Sequence, residues 1–174
     1  MGLLRLIILA VAAAISTGVA AQEHYQEGVH YDLIEPSIHT GVSDRVVVTE
    51  FFSYGCGHCY NFEPLLGSFE SRLPEGVLLQ RTPVIWNNNP GMKLLAKTYY
   101  AVEVLDVFEP VHGAVFNTIH RQRKRLSSPE AVRAVFVENG VDAKDFDRAF
   151  GSFGIDSMVR QAAARTEGAR VQGT

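Results

Sequence analysis

Apolar residues run almost without a break from residue 45 to residue 53, with Val46, Val47 and Val48 in succession. A short run of this kind predicts a β-strand buried on both faces, as in the middle of a sheet. Alternation puts Val46, Val48, Glu50 and Phe52 on one face, and Val47, Thr49 and Phe51 on the other. The period then changes. Phe62, Leu65, Leu66, Phe69 and Leu73 recur at helical spacing, which predicts an amphipathic helix over 61–73. Pro64 lies inside it, so a kink is expected near Cys59 or Tyr60. Pro74, Glu75 and Gly76 end the helix, and residues 77–83 read as a second strand. Together these elements predict a β-α-β unit with a right-handed crossover. Upstream, residues 30–34 are expected as a short strand and 35–44 as a loop.

From Trp86 onward the pattern is helical only. Asn89 and Pro90 supply an N-cap and first position for a helix to about residue 105. A second is expected over 108–121. Ser127, Ser128, Pro129 and Glu130 open a third, which closes at Asn139-Gly140. Asp142 caps a short fourth that ends near Gly151, and a fifth covers 153–169. Trp86 with Asn87, Asn88 and Asn89 reads as a surface turn with one anchoring aromatic, or as the rim of a groove.

Residues 1–21 have the form of a secretory signal. Arg5 gives a positive start, 6–15 are apolar, and Val19, Ala20 and Ala21 are small residues at the cleavage positions. The apolar run is short for a membrane span. Export implies an oxidising compartment, where disulfides persist. The 174 residues are 47 % hydrophobic and 10 % aromatic, enough to build a core in one domain, or in one domain with an insertion. The formal net charge of −3 gives no whole-protein attraction to nucleic acid or to an anionic membrane. The run Arg121, Arg123, Lys124, Arg125 fits the end of a helix, where cations complement the dipole, better than a nucleic-acid contact.

The only two cysteines, Cys56 and Cys59, fall between the first strand and the first helix. Three residues along a helix separate Cα atoms by about 5 Å, within the range a disulfide accepts. The free amides and positive dipole end of a helix beginning at or beside Cys56 favour a thiolate there. His58 adds a cation or a hydrogen bond between the two. Cys56 is therefore read as the attacking sulfur and Cys59 as the buried, resolving one. An inert bridge is the weaker reading, because so small a loop restrains the unfolded chain little. Haem attachment needs a histidine directly after the second cysteine, where Tyr60 stands. Structural zinc needs four ligands. There is no second cysteine pair, and His24, His30, His39, His112 and His120 are not spaced as ligand pairs; most are read as solvated or satisfied locally. Glu50 is an acid inside an apolar strand, either functional beneath the cysteines or at a water-exposed edge. A Cys-x-x-Cys that follows a strand and opens a helix is the redox arrangement of the thioredoxin-like class.

The segment Glu50-Phe-Phe-Ser-Tyr-Gly-Cys56-Gly-His-Cys59-Tyr-Asn-Phe-Glu63-Pro resembles the active-site segment of the DsbA family of bacterial periplasmic thiol–disulfide oxidoreductases. The order of elements over 22–174 resembles that family as well. The resemblance implies an α/β, thioredoxin-like fold with an inserted helical domain: a signal peptide at 1–21, a thioredoxin-like part at 22–85, the helical insertion at 86–169, and a return to the thioredoxin part at 170–174. It implies Cys56 as nucleophile, Cys59 as resolving thiol and His58 as a tuner of potential, with Glu50 and Glu63 at acidic positions near the site. It further implies a periplasmic monomer that donates disulfides to reduced or partly unfolded exported proteins. No bound cofactor is implied beyond the redox-active disulfide, and a membrane partner of the DsbB type would reoxidise the pair. A disulfide isomerase or reductase with the same cysteines, or a redox-inactive peptide-binding module, are the alternatives.

Two departures stand out. Gly57-His58 replaces the Pro-His of the best-known members and matches the dipeptide typical of eukaryotic disulfide isomerases. At the other end, Val171-Gln-Gly-Thr174 reads as the approach to a strand, where family members continue with a cis-proline, a β-hairpin and a closing helix. On that resemblance Thr174 stands just before the cis-proline position, the hairpin and helix are missing, and 22–174 alone is expected to be poorly stable, with an unpaired apolar edge.

Overall fold

The computed structural model describes residues 25–174, so the signal peptide expected over 1–21 lies outside the described residues. The described residues up to Leu33 form one unit and Ile34–Thr174 another. In the first, the strand expected over 30–34 does not form. The chain instead turns through Gly28, at φ +77°, and closes on a single bridge between Glu27 and Tyr31. The amide of Gly28 donates to the Tyr31 carbonyl at 2.8 Å, so the local turn takes the backbone groups a strand would use.

The second unit opens on the expected β-α-β arrangement. Strand β1 (Val46–Phe52), helix α1 (Gly57–Glu70) and strand β2 (Val77–Pro83) follow in order. The strands pair in parallel, with Val46 opposite Val77, Glu50 opposite Arg81 and Phe52 opposite Pro83. Helix α1 runs through Pro64 without a break. The expectation that β1 is buried on both faces is corrected: Val46 and Val48 are exposed. Among the described residues β1 pairs with β2 alone. The apolar stripe of α1 is open too, since Phe62, Leu65 and Phe69 are exposed and only Leu66 is buried. These side chains and Val48 line an apolar groove of about 450 Å³.

The helical block consists of α2 (Pro90–Val104), a π-helical turn (Phe108–His112), α3 (Gly113–His120), α4 (Pro129–Glu138), α5 (Ala143–Phe150) and α6 (Phe153–Gly168). Four of the helices start at side-chain caps. Asn89 accepts from the Met92 amide, Ser128 from Ala131, Asp142 from Lys144 and Asp145, and Ser152 from Ile155. Each satisfies amides that a helix start leaves without partners. The single helix expected over 108–121 is two pieces, and the wider first turn contains Pro110, which has no N–H to give the ladder. After α3 the basic run folds back, the amides of Gln122 and Lys124 donating to the carbonyls of Asn117 and Thr118.

The core lies mainly in this block, with Val102, Val111, Val115, Phe116, Val132, Phe136, Phe146 and Ile155 fully enclosed. Phe52, at the end of β1, belongs to the same cluster and meets Tyr99 edge-on at 5.1 Å between ring centroids. The strand that leads to the cysteines is thus anchored in the helical core at its last residue. Trp86 does act as an anchor: its indole N–H donates to the Val171 carbonyl at 2.7 Å. No helix among the described residues is long and apolar enough to cross a membrane.

Candidate active site

Beyond Phe52 the chain turns sharply through Ser53, Tyr54 and Gly55. The Cys56 amide donates to the Ser53 carbonyl at 3.0 Å, and the Gly55 amide to Ser53 Oγ at 3.1 Å. Cys56 is the N-cap of α1, with extended backbone (φ −91°, ψ 118°), and its sulfur accepts from the Cys59 amide at 3.4 Å. The sulfur does what a Ser or Asp oxygen does at most helix starts. Neither cysteine is bonded to another sulfur.

Three residues of helix separate two very different thiols. Burial pulls Cys56 up, but hydrogen bonds from the Thr174 side chain, from Cys59 and from the His58 backbone outweigh it and hold the thiol below its usual range. Cys59 is buried, and that burial is the main reason its thiol is pushed up to about 11. The nearby Cys56 adds to the rise, while the Ser53 backbone and Thr174 work against it. His58 is exposed, and the contact it makes to the Cys56 sulfur runs through its backbone amide.

Glu50 lies with Cys59, His58, Phe51, Asn61, Phe62 and Thr174 around an open pocket of about 460 Å³. Its side chain is 11 % exposed, so the water-exposed alternative is set aside. Burial, then the charge of Glu63, raises its carboxyl to about 7 against the opposing pull of Arg81, with Glu70 adding to the rise. Arg81 Nε stands 3.5 Å from Glu50 Oε2, and Arg81 Nη2 reaches Glu70 Oε2 at 3.0 Å. The guanidinium also lies over the Phe108 ring, 4.8 Å from its centroid.

Two histidines of the helical block, among five of which most were expected to be solvated or locally satisfied, meet the cysteine turn. His112 is buried. Its Nδ1 shares a hydrogen bond with the Tyr54 hydroxyl at 2.8 Å, and its Nε2 stands 3.2 Å from Glu63 Oε1 without a hydrogen bond between them. The tyrosine keeps its proton, since burial holds its acidity far below that of a free phenol. His120 Nε2 donates to the Tyr54 carbonyl at 2.8 Å, and Tyr60 stacks on the imidazole at 5.2 Å. His112, Phe116 and His120 recur every four residues beside a core stripe, the one signal in the sequence that could have found them.

Comparison with known proteins decides the family. Residues 72–174 match the DSBA-like thioredoxin domain. The thiol:disulfide interchange protein DsbA of Bordetella parapertussis is 33 % identical over 168 residues, which cover 96 % of this chain and 79 % of that protein. The chain belongs to the DsbA family. DsbA of Pseudomonas aeruginosa strain PAO1 is also 33 % identical, over 163 residues that span 90 % of this chain and 74 % of that one. A crystal structure of a single-substitution variant of Pseudomonas aeruginosa DsbA matches with a TM-score of 0.82 at 28 % identity, covering 87 % of this chain and 80 % of that one. The fold is therefore the thioredoxin-like α/β fold of DsbA, with helices inserted, and the protein is a thiol–disulfide oxidoreductase. DsbA proteins work through a redox-active disulfide.

Proposed function

We propose that the Cys56–Cys59 disulfide is donated to reduced or partly unfolded exported proteins in the periplasm. The observation that carries this reading is the opposite displacement of the two thiols: Cys56 is made more acidic at the cap of α1, and Cys59 less acidic beneath it. A substrate thiolate attacks Cys56 Sγ, the Cys56–Cys59 bond breaks, and Cys59 leaves with the electron pair. A thiolate with a pKa near 11 needs a proton at once, and Glu50, half protonated near neutral pH in the same pocket, supplies it. The second substrate thiolate attacks the substrate sulfur of the mixed disulfide. Cys56 departs as a stabilised thiolate, and two electrons have passed from substrate to enzyme. Stabilising that reduced form makes the disulfide oxidising.

In this reading His58 tunes the potential, a membrane protein of the DsbB type reoxidises the dithiol, and the protein works as a monomer without a further cofactor. The thioredoxin-like part comprises 22–85 and 170–174, with 86–169 as the helical insertion behind a signal peptide at 1–21. Gly57-His58 favours a second reading, a less oxidising couple suited to isomerisation or reduction. One experiment separates them: the equilibrium of the pair against glutathione, together with the pH dependence of alkylation of each thiol. A single acidic thiol and an equilibrium far toward the reduced enzyme support the donor. An acidic thiol with an equilibrium near that of a disulfide isomerase supports the second reading. Two ordinary thiols overturn both.

A further inference from the structure

The cysteine turn is held from outside by His120, the last residue of α3. A backbone carbonyl only accepts, so the 2.8 Å contact between His120 Nε2 and the Tyr54 oxygen requires the proton to sit on Nε2. The ring that makes this bond is itself fixed on several sides. Tyr60, one residue past Cys59, stacks on it with planes 12° apart, and the Tyr60 hydroxyl is tied to Asn117 Oδ1 at 2.9 Å. Gly57, the first residue of α1, faces the other edge of the imidazole: a β-carbon there would sit 3.9 Å from His120 Nδ1 and 4.0 Å from Cε1, a contact the glycine leaves unmade. The ring therefore meets the chain on both sides of Cys56, at Tyr54 before it and Tyr60 after it.

That placement matters because of what holds the sulfur. The hydrogen bonds to Cys56 Sγ from the Cys59 and His58 backbones work only while the first turn of α1 keeps its amides aimed at it. Gly57 has no ring or side chain to restrict its backbone, and a glycine between the cysteines leaves the turn free to re-aim. An outside clamp is then required, and the bond from His120 to the Tyr54 carbonyl, two residues ahead of the sulfur, is such a clamp.

We propose that His120 is a positioning residue for the Cys56 sulfur: by binding the Tyr54 carbonyl and stacking on Tyr60, it keeps the first turn of α1 in the geometry that stabilises the thiolate. The inference rests on the reading of Cys56 as the attacking thiol. His120 touches no reacting atom in this scheme and acts through the turn alone.

The test uses the full chain and two variants. His120→Phe keeps the ring, its volume and the stacking with Tyr60 but deletes the N–H donor. His120→Gln deletes the ring but keeps a side-chain N–H within reach of the carbonyl. Thiolate absorbance against pH and the glutathione equilibrium are measured for all three, with urea unfolding alongside. His120→Phe is expected to raise the Cys56 pKa by about half a unit or more and to move the equilibrium roughly threefold toward the disulfide form. His120→Gln is expected to stay near the parent in both. A parental pKa and equilibrium in His120→Phe overturns the inference. Equal shifts in both variants overturn the hydrogen bond as the cause, and so does a loss of stability with no change in either redox readout. If the parent itself has no acidic thiol, the underlying reading of Cys56 fails instead, and that result comes from the parent alone.

Discussion

The helical block and the β1–α1 edge both carry apolar faces, and those faces end in opposite states. In the block, Val102, Val111, Val115, Val132, Phe136 and Ile155 reach complete burial. At the edge, Val46 is 64 % exposed and Leu65 59 % exposed, although both belong to the apolar pattern of their elements. The contrast shows that periodicity reports which face seeks burial and leaves open what covers it. The chemistry lies at the seam between the two. Phe52 and Tyr54 root the end of β1 and the cysteine turn in the helical core, His112 and His120 bond to Tyr54, and four residues after Phe52 comes the cap sulfur.

If the contrast is real, stability resides in the block. Phe136→Ala is expected to cost about 3–5 kcal/mol, because the ring is fully enclosed and its removal leaves a cavity. Leu66→Ala, at the one buried position of the apolar stripe on α1, is expected to cost about 2–5 kcal/mol. Both are read from the shift of the urea midpoint at unchanged slope. A Phe136→Ala change of less than about 1 kcal/mol would place the core elsewhere.

The next effect is electrostatic and belongs to the seam. Glu50 titrates near 7 in the folded chain and near ~4.3 when unfolded. Between those values the native state holds a proton that the unfolded state has lost. This group therefore makes stability fall as pH rises through about 7, and its effect is absent below the unfolded pKa. The full difference is at most about 4 kcal/mol. Glu50→Gln is expected to remove that slope between pH 5 and 8, and Arg81 keeps Glu70 as a partner when it does. A slope that survives in the variant would assign the titration to another group.

What was legible in the sequence follows the same division. Helix starts were readable where a cap precedes the first turn: Asn89-Pro90, Ser128-Pro129 and Asp142 each mark a start at the expected residue. The cysteine turn was readable because a strand pattern, two cysteines and a helix pattern follow one another directly. An apolar run with three successive valines does not tell whether one face of the strand is covered or both, and the face of β1 that carries Val46 and Val48 is open. The strand expected over 30–34 failed because Gly28 turns the chain back on itself within four residues. His112 and His120 were not read as site residues because the four-residue recurrence with Phe116 gives their shared face and leaves out their partner Tyr54, distant in the chain.

A cap gives a smaller measure of the block. Ser128→Ala removes the acceptor for the Ala131 amide and is expected to cost about 1 kcal/mol. Ser128→Asp should retain most of the stability, since a carboxylate also caps and suits the positive end of α4. Equal losses in both variants would mean that packing around Ser128, not its hydrogen bond, sets the start of α4.

The smallest expected effect is the sharpest for the contrast itself. Leu65 and Leu66 are adjacent on α1, identical in type and alike in helix propensity, so substituting each in turn cancels those variables. Leu66 is 5 % exposed and Leu65 is 59 % exposed, facing the open groove beside Val48, Phe62 and Phe69. Leu65→Ala leaves no cavity and gains a residue of slightly higher helix propensity, so its stability change is expected to stay within about 0.5 kcal/mol. The ratio between the two substitutions then measures how open the edge is in solution, free of any assumption about the groove. If Leu65→Ala costs as much as Leu66→Ala, the outward face of α1 is covered in the working protein, and the difference between the two regions disappears.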